Sequence, residues 1–227
     1  IYQSMVEYLI RVICIMVESK YIKQYFNNLL NWNELENLIN IRPLMTTKRV
    51  QLLNMNESFE WMNSIWTSDP NCIPPSLIRS LLDEIVIYFV DMSRATKRIN
   101  DFARTIEDEY GRQVDAHIYV CRNLNIEHPF GAHYDFSDNV IVQCEGITNF
   151  KVWDEVKNVR EDSINSKLQI DDEPILDVDM ESGDTIWIPK HFPHLATSLT
   201  PRLSVSFPIS SVANISDVRE DRNWITL

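Results

Sequence analysis

The stretch that decides the fold runs from His128 to Trp153 and reads HPFGAHYDFSDNVIVQCEGITNFKVW. It places His133 and Asp135 two positions apart, in a short run that we predict to be extended. Side chains two positions apart on a strand point to the same face of a sheet. The pair can therefore offer an imidazole and a carboxylate to the same metal ion.

A third metal ligand is expected about sixty residues further along the chain, in the segment GDTIWIPKHFPH at residues 183–194. Two histidines and one carboxylate that leave open coordination positions form the facial triad of non-haem Fe(II) oxygenases. The segment offers His191 and His194, which are three positions apart and so face opposite sides of a strand. One of them is the predicted third ligand, and the other is a pocket or surface residue. His117 and His128 are not predicted to bind metal.

The composition is that of a folded globular protein. Of the 227 residues, 44% are hydrophobic and 10% are aromatic, which is enough for one domain with a full core or for a large domain with a helical annex. The formal net charge of -12 argues against a broad nucleic-acid surface, because such a surface is basic. We therefore expect no nucleic-acid partner.

The N-terminal run and the cysteines both indicate a soluble cytoplasmic protein. The apolar run from Met5 to Val17 contains Glu7 and Arg11, so it is too short and too charged to span a bilayer. It also lacks the small-residue cleavage site of a signal peptide. The four cysteines show no CxxC pair and no zinc spacing, so we expect reduced and mostly buried thiols. They are Cys14, Cys72, Cys121 and Cys144.

The first half of the chain is predicted to be helical. It contains only Gly111 among the four glycines, and its apolar side chains recur at helical spacing. Asn33 followed by Glu36 has the spacing of a capping box, and Pro74 starts an amphipathic run that continues to Phe89. Gly111 is a natural end for the last helix. The predicted helices are residues 2–30, 33–39, 74–89 and 93–110, with extended or mixed structure at 41–54.

From Gln113 onward, apolar and polar residues alternate with a period of two, which is typical of strands. Eight short strands separated by turn residues favour a closed or double-sheet all-β unit, either a jelly roll or a cupin barrel. We therefore predict a mainly β protein with a helical N-terminal half. Residues 1–112 would pack on the barrel, residues 113–210 would form it, and residues 211–227 would be a tail. The predicted strands are 113–121, 130–135, 139–144, 148–154, 175–180, 184–189, 194–199 and 202–208.

Two blocks of the sequence resemble the cupin-like JmjC hydroxylases, a family that includes the ribosomal-protein oxygenases and the asparaginyl hydroxylase of the hypoxia pathway. The first block is HYDFSDNVIVQCEG at residues 133–146, together with the strand that ends at Trp153. The second block is GDTIWIPKHFPH at residues 183–194, which resembles the strand that carries the distal histidine of the family. The resemblance covers roughly residues 113–208.

This resemblance implies a double-stranded β-helix core that uses Fe(II), O2 and 2-oxoglutarate to hydroxylate a side chain. The Phe-Pro dipeptide before His194 matches the family's placement of the distal histidine, so the implied metal ligands are His133, Asp135 and His194. A Gly or Ala in place of Asp135 would open a halide site and favour halogenation. The presence of Asp135 therefore favours hydroxylation, or demethylation that is driven by hydroxylation.

The chain differs from the family pattern at the position of the residue that binds the cosubstrate. Family members usually carry a Lys or Arg fifteen positions after the first histidine, where this chain has Thr148. Lys151 lies three positions further on and is expected to point to the other face. Arg202 and Ser204 instead match the Arg-x-Ser of many other 2-oxoglutarate oxygenases, and they share a strand face. A guanidinium group binds a carboxylate through two parallel hydrogen bonds, so Arg202 is the predicted anchor.

Two further residues are candidates for contact with the cosubstrate. Asn139 matches an Asn that some family members carry near the other end of the cosubstrate. Tyr119 shares a strand face with His117, so either side chain is a candidate to line the barrel. The residues predicted to bind the cosubstrate are Arg202, Ser204, Asn139, Thr148 and Tyr119.

The sequence thus predicts an Fe(II)- and 2-oxoglutarate-dependent oxygenase that hydroxylates a protein side chain or a small amino-acid-like substrate. Two alternatives stay open: a metal-binding cupin with other chemistry and no 2-oxoglutarate, and a non-catalytic barrel used for binding. Cupins of the first kind commonly use three or four histidines with a glutamate, which these strands do not supply. An intact triad argues against the second. A homodimer formed through the N-terminal helices is a further hypothesis, and no membrane association is expected.

Overall fold

The computed structural model describes residues 19–26, 28–46, 49–53, 72–156 and 168–213, which form a mainly β fold. The helices of this described part are α1 (Trp32–Ile39), α2 (Pro75–Leu81) and α3 (Lys97–Tyr110), with a 3-10 helix at Arg42–Leu44. The strands are β1 (Lys20–Ile22), β2 (Val50–Leu53), β3 (Val86–Phe89), β4 (Arg112–Val114), β5 (His117–Cys121), β6 (Ile126–Glu127), β7 (Asp138–Glu145), β8 (Thr148–Val152), β9 (Leu176–Met180), β10 (Thr185–Ile188), β11 (His194–Ser198) and β12 (Arg202–Ala213).

These strands form two sheets in which every pairing is antiparallel. The larger sheet has the order β1-β10-β7-β12-β5-β3-β2, and β4 also pairs with β12. The smaller sheet has the order β6-β11-β8-β9. Several strands that lie side by side in a sheet are far apart in sequence. For example, β7 pairs with β10 and β12, and β8 pairs with β11. The sheets therefore bring together segments that the sequence keeps apart.

Strand β7 is buried on both faces and separates two cores. Val140 and Val142 belong to the larger apolar cluster, which joins the larger sheet to the helices. Ile141 points the other way and packs with Phe150 of β8 in a smaller cluster between the sheets. The alternation predicted for residues 139–144 is confirmed by this division.

Strand β12 alternates in the same way, with apolar side chains in the larger core and polar side chains on the opposite face. All of these side chains are buried, so the polar stripe faces the protein interior rather than solvent. Polar groups in such a place need hydrogen-bond partners. The apolar set is Leu203, Val205 and Phe207, and the polar set is Arg202, Ser204 and Ser206.

The helix predicted over residues 2–30 is wrong for Lys20–Ile22, which form a strand. Lys20–Ile22 form β1, which pairs with β10 at the edge of the larger sheet. Residues 1–18, which make up most of that predicted helix, lie outside the described residues, and the hypothesis of a homodimer through the N-terminal helices stays a prediction. Backbone pairing with a distant strand decides the structure of so short a segment, and helical spacing does not reveal it.

Two other helical predictions need correction at their ends. The capping box is formed by Asn31 and Glu34, two residues earlier than predicted, and the Asn31 side chain accepts a hydrogen bond from Glu34 N at 3.0 Å. Helix α2 ends at Leu81, and Val86–Phe89, predicted to continue it, form β3 instead. Both faces of β3 are largely buried, so its continuous apolar run fits a helix and a strand equally well.

Helix α3 follows the prediction more closely. It begins at Lys97 rather than at residue 93, because Thr96 caps the first turn by accepting a hydrogen bond from Ile99 N at 3.2 Å. Gly111 ends the helix in a left-handed conformation with φ 61°, as predicted. The mixed structure predicted for residues 41–54 is also found where that range is described, as a 3-10 helix followed by β2.

The strand predicted at residues 130–135 is wrong, although the other seven predicted strands are present. This segment is irregular apart from one isolated bridge between His133 and His194. Gly131 has φ 63°, a left-handed conformation that interrupts an extended backbone. His133 and Asp135 therefore do not share the face of a strand, as their two-residue spacing had suggested. The conformation of the loop positions the two side chains instead.

Three sequence predictions concern the thiols, the membrane and the tail. Cys121 and Cys144 are free thiols and are buried, as predicted; Cys72 is half-buried, and Cys14 lies outside the described residues. No helix in the described part of the chain is long and apolar enough to cross a membrane. The tail predicted at residues 211–227 is described only as far as the end of β12.

Gly146 joins β7 to β8 in a turn that presses against the connection between β11 and β12. Its φ is 78°, and a Cβ atom built there would lie 1.8 Å from the Pro201 carbonyl oxygen. The two turns are also hydrogen-bonded, because Ile147 N donates to Thr200 Oγ1 at 2.7 Å. The contact therefore leaves no space for a side chain.

We expect Gly146→Ala to lower the free energy of unfolding by about 3 kcal/mol or more, since it adds a backbone clash to a left-handed conformation. Urea unfolding of the two proteins measures the difference. Gly111→Ala is the matched control, because Gly111 has a similar φ of 61° and a Cβ atom added there would meet nothing within 4 Å. That control should cost about 1–2 kcal/mol. Equal losses in the two variants would contradict the clash.

Candidate metal centre

Two neighbouring segments bring the three predicted metal ligands together. His133 N donates to His194 O at 3.1 Å, and His194 N donates to His133 O at 2.7 Å. Residues paired in this way carry their side chains on the same face, and the two imidazole centroids lie 4.4 Å apart. Asp135 completes the group, because one candidate ligand atom from each of the three residues lies within 4.8 Å of the others. The cluster is compact enough to hold one ion.

Both imidazole rings present the same nitrogen to the cluster. His133 Nδ1 lies 2.9 Å from Gly131 O, and His194 Nδ1 lies 3.1 Å from Phe192 O. A carbonyl oxygen only accepts, so each Nδ1 carries the proton and each Nε2 keeps its lone pair. His194 Nε2 lies 3.8 Å from Asp135 Oδ2. An ion at about 2.1 Å from each atom can bridge that separation.

The Asp135 carboxylate is held by a short chain of polar groups from the larger sheet. Asn139 Nδ2 donates to Asp135 Oδ2 at 3.3 Å, and Ser206 Oγ donates to Asn139 Oδ1 at 2.7 Å. The Ser206 hydroxyl thereby determines which way the Asn139 amide points. Asn139, predicted to contact the cosubstrate, thus orients a predicted metal ligand and also lines the pocket.

A pocket of about 340 Å³, counting the part that is open to solvent, lies over the three ligands. It combines polar groups from the larger sheet with apolar groups from both sheets. A pocket of this kind binds a small molecule through burial of its apolar part and a few polar contacts. Besides the three ligands, the lining residues are Tyr119, His128, Asn139, Ile141, Phe150, Ala196, Arg202 and Ser206.

Arg202 supplies a buried positive charge to this pocket and is only 2% exposed. Its Nε donates to Ser204 Oγ at 3.0 Å, and its guanidinium carbon lies 5.5 Å from the Tyr119 ring centroid and 5.8 Å from that of Phe150. Its Nη1 is buried without a hydrogen-bond partner, and no carboxylate of the described residues forms an ion pair with it. Burial lowers the pKa of Arg202 to about 10. The group is still protonated at neutral pH, so it is a buried cation that lacks an anion.

The five predicted cosubstrate residues divide into two groups. Arg202, Asn139 and Tyr119 line the pocket. Ser204 and Thr148 are fully buried but are not part of that lining. Ser204 accepts the Arg202 hydrogen bond and so holds the guanidinium in place. Thr148 lies at the start of β8, and its hydroxyl has no hydrogen-bond partner.

Tyr119 lines the pocket, whereas His117 on the same face of β5 does not. The Tyr119 ring stacks on Tyr88 at a centroid distance of 4.5 Å. Tyr88 Oη lies 2.5 Å from His117 Nδ1, and His117 Nε2 lies 2.9 Å from Asp115 Oδ2. A carboxylate only accepts, so His117 Nε2 donates to Asp115 and, in the neutral ring, Nδ1 accepts from Tyr88. His117 therefore supports the stacked tyrosines from behind the pocket.

His191 and Lys151 both lie outside the pocket lining. His191 has a left-handed backbone with φ 67°, and its N–H donates to Asp135 O at 2.8 Å. Its contribution to the ligand loop therefore comes from the backbone, while its ring packs on Phe136. Lys151 points away from the pocket, as predicted, and its Nζ lies 3.7 Å from Asp177 Oδ2.

Five residues of the pocket lining were not predicted as site residues from the sequence: Ser206, Phe150 and His128, together with the apolar Ile141 and Ala196. Ser206 continues the alternation that begins with Arg202 and Ser204, so the period-two pattern of β12 could have identified it. Phe150 was assigned no role, although it occupies an inward position of β8. His128 carried no usable signal, since its position depends on the pairing of the preceding segment, β6, with β11.

Burial keeps two histidines of the site neutral. Burial, and to a smaller extent the neighbouring His194, lower the pKa of His133 to about 4. Burial also holds the pKa of His128 well below its usual range, and the positive charge of Arg202 adds to that effect. A neutral imidazole is the form that binds a metal ion. His133 is therefore available to a metal ion without competition from protons at neutral pH.

The metal-free chain should lose stability as the pH falls from about 6.5 to about 4. His133 titrates near 6.5 when unfolded and near 4 when folded, so the unfolded chain binds more protons in that window. The free energy of unfolding is then highest above pH 6.5 and declines as the pH falls through the window. Urea unfolding at several pH values, with chelator present, measures this slope. His133→Gln removes one of the titrating groups, so an unchanged slope in that variant would contradict the assignment.

These observations define a class of protein: an antiparallel β fold with a candidate two-histidine, one-carboxylate site for a single metal ion. The model of the JmjC domain family matches residues 92–215, which is more than half of the chain. The chain therefore belongs to the JmjC domain family.

Relatives found by sequence and by structure agree with this assignment. Over 111 residues the chain is 28% identical to Ribosomal oxygenase 1 of Danio rerio, a match that covers 47% of this chain and 20% of the relative. The structure of YcfD, a ribosomal oxygenase from Escherichia coli in complex with cobalt and 2-oxoglutarate, superimposes with a TM-score of 0.55 at 18% identity. That match covers 88% of this chain and 50% of YcfD.

A second YcfD structure, in complex with cobalt and succinic acid, superimposes with a TM-score of 0.56 at 16% identity and covers 86% of this chain and 48% of YcfD. At such identities the structural likeness concerns the fold. The chain spans about half the length of YcfD and about a fifth of the Danio rerio relative.

Proposed function

We propose that the chain is an Fe(II)- and 2-oxoglutarate-dependent oxygenase that hydroxylates a side chain of a protein substrate. The observation that carries this proposal is the pairing of two features in one pocket. One part of the pocket lining is the cluster of His133, Asp135 and His194. Another part is Arg202, which is buried and forms no ion pair with a carboxylate of the described residues. A cosubstrate with two carboxylates suits both features.

The donor set fits Fe(II). His133 and His194 each offer an Nε2 lone pair, because their Nδ1 atoms donate to backbone carbonyls. Asp135 adds one carboxylate, which Asn139 holds by a hydrogen bond. Two imidazoles and one carboxylate with open positions are the ligands of non-haem Fe(II) oxygenases. The hydrogen bonds behind the ligands also favour affinity, because they orient each donor before the ion arrives.

The cation fits the carboxylate of 2-oxoglutarate that lies remote from the metal. Arg202 Nη1 has no hydrogen-bond partner among the described residues, and Ser204 accepts a hydrogen bond from the guanidinium Nε. An ionised carboxylate would satisfy that nitrogen and neutralise a buried charge. Arg202 would thus replace the Lys or Arg expected at the position of Thr148. The YcfD complexes with 2-oxoglutarate and with succinic acid support a dicarboxylate ligand for this fold.

When bound, Fe(II) and 2-oxoglutarate supply the oxidising power: one atom of O2 enters the substrate, and the other converts 2-oxoglutarate to succinate with release of CO2. The protein residues position and shield this chemistry. His133, Asp135 and His194 would hold the ion, and Arg202 would orient the cosubstrate. Apolar lining from Ile141, Phe150 and Ala196 limits access of water.

The substrate we favour is a protein side chain, because the relatives are named as ribosomal oxygenases. The net charge of -12 favours encounter with a positively charged protein. A small amino-acid-like substrate is the alternative. We also propose that residues 113–210 form a double-stranded β-helix as the catalytic unit, with residues 1–112 packed against it. The free thiols favour a reducing, cytoplasmic location.

The first experiment is an anaerobic titration with Fe(II), with and without 2-oxoglutarate. The proposal predicts a weak visible charge-transfer band that appears only when both are present. Succinate in place of 2-oxoglutarate is the control and should give no band, since it lacks the 2-oxo group. Metal binding without a band would favour a cupin with other chemistry. Absence of metal binding would leave a non-catalytic barrel.

A second experiment identifies the substrate class. The Fe(II)-loaded chain is incubated aerobically with 2-oxoglutarate and either purified ribosomal proteins or a set of free amino acids. We expect a peptide that gains one oxygen atom by mass spectrometry, with succinate formed in proportion. Succinate formation stimulated only by an amino acid would replace the protein substrate with the small-molecule alternative.

A further inference from the structure

His128 lies in the pocket but has no role in the metal cluster. It is 4% exposed, and its backbone N–H donates to Ala196 O at 2.8 Å, which attaches it to β11. Its ring centroid lies 5.1 Å from that of Tyr119 and 6.0 Å from that of His133, with the His133 ring nearly parallel. The side chain is therefore fixed between the metal cluster and the tyrosine on which Arg202 rests.

The hydrogen bonds of His128 show which of its nitrogens carries the proton. Its Nδ1 accepts from Phe130 N at 3.4 Å. In a neutral imidazole one nitrogen accepts and the other donates, so Nε2 carries the hydrogen. That Nε2 is buried and has no hydrogen-bond partner. A histidine with a purely structural role in a core would have its donor satisfied by the protein.

A second donor without a partner belongs to the same pocket. Arg202 Nη1 is also buried and unbonded, and its guanidinium lies 5.5 Å from the Tyr119 ring centroid. Tyr119 thus contacts both His128 and Arg202, and all three residues line the pocket. Two buried donors that the protein leaves unsatisfied indicate a ligand that accepts hydrogen bonds from both.

We propose that His128 is a further cosubstrate-binding residue, whose Nε2–H donates to the same carboxylate that Arg202 binds. This inference rests on the proposed function, because it takes 2-oxoglutarate as the ligand. The charges fit one carboxylate. Arg202 supplies a single positive charge, and the neutral His128 adds a hydrogen-bond donor without adding a second positive charge. A metal role for His128 does not follow, since it is not part of the three-residue cluster.

Two substitutions distinguish the proposed hydrogen bond from His128 Nε2 to the ligand from the hydrogen bond that Nδ1 accepts from Phe130 N. His128→Asn keeps an acceptor near the position of Nδ1 for Phe130 N–H but removes the donor at Nε2. His128→Gln places an amide nitrogen near the position of Nε2 and so restores a donor. Both variants are compared with the unchanged chain in the Mn(II)-loaded, anaerobic form, in which binding is measured without turnover.

The readout is the dissociation constant measured by calorimetry for two ligands. One is 2-oxoglutarate, and the other is 2-oxobutyrate, which keeps the metal-binding end but lacks the remote carboxylate. We expect His128→Asn to weaken 2-oxoglutarate binding about tenfold to a hundredfold, the usual effect of one hydrogen bond to a charged group. Binding of 2-oxobutyrate should be unchanged, and His128→Gln should recover part of the loss.

The result that overturns the inference is unchanged 2-oxoglutarate affinity in His128→Asn, when that variant still binds Mn(II) normally. Equal losses for the two ligands would also overturn it, because the contact would then lie at the metal end. Failure of the unchanged chain to bind 2-oxoglutarate is a different outcome and contradicts the proposed function itself. If His128→Asn does not fold, the comparison of His128→Gln with His128→Phe tests the same donor, and equal affinities would overturn the inference.

Discussion

Replacing His133 with alanine is expected to lower the affinity for Fe(II) or Mn(II) by at least about a hundredfold and to abolish oxygenase turnover. Loss of a group that merely orients a ligand costs about tenfold to a hundredfold, so loss of a ligand itself should cost no less. The same result is expected for Asp135→Ala and His194→Ala, because the three residues form one cluster. Calorimetry with Mn(II) measures the affinity, and succinate formation measures the turnover.

His191→Asn is the matched control for these variants. His191 lies three residues from His194 and was the competing candidate for the third ligand, but its side chain is not part of the cluster. Asparagine tolerates its left-handed φ of 67° better than alanine does. Metal affinity should be close to that of the unchanged chain. A loss comparable to that of His194→Ala would show that the distal ligand is misassigned.

Replacing Arg202 with methionine is expected to weaken ligand binding without lowering the stability of the metal-free chain. Among the described residues of the pocket lining it removes the one Lys or Arg, so 2-oxoglutarate affinity should fall by about a hundredfold or more. The metal-free chain should become no less stable, because the guanidinium is buried without an anion. Burial lowers its pKa from 12.5 to about 10, which corresponds to a cost of about 3 kcal/mol in the folded state. Calorimetry and urea unfolding measure the two effects.

Arg79→Met is the control for the loss of a positive charge. Arg79 forms a partly exposed ion pair with Glu36 at 2.8 Å and does not line the pocket. Its replacement should change the free energy of unfolding by less than about 1 kcal/mol and leave 2-oxoglutarate affinity unchanged. A large loss of stability in Arg202→Met without ligand would contradict the interpretation of Arg202 as a buried cation that lacks an anion.

The candidate metal ligands show how much of the site could be predicted from sequence. The residue types and their spacing were sufficient to single out His133 and Asp135 and to narrow the third ligand to His191 or His194, because few groups in proteins bind a divalent ion. The structural reason given for the first two was wrong, since residues 130–135 form no strand. Their geometry comes instead from the bridge between His133 and His194. The choice of His194 over His191 required the family resemblance.

The N-terminal half shows why part of the fold could not be predicted. Val86–Phe89 and Lys20–Ile22 were both predicted as helix and are both strands. Val86–Phe89 is a short apolar segment that is largely buried on both faces, and Lys20–Ile22 has only three residues, so neither segment has a period that distinguishes the two structures. Each structure is decided by backbone hydrogen bonds, to β5 in the first case and to β10 in the second. Those partners come from segments that are distant in sequence.

The sequence by itself determined the family, the alternation of strands such as β7 and β12, and the identity of the groups that are candidates to bind metal. Each of these depends on residue type and short-range spacing. Only the tertiary structure decided which polar groups are left without partners. His128 Nε2 and Arg202 Nη1 make no hydrogen bond among the described residues. The surrounding strands bury both nitrogens, and no acceptor on those strands lies within reach of either one. Burial and hydrogen-bond supply are properties of the assembled sheets, so no local pattern encodes them.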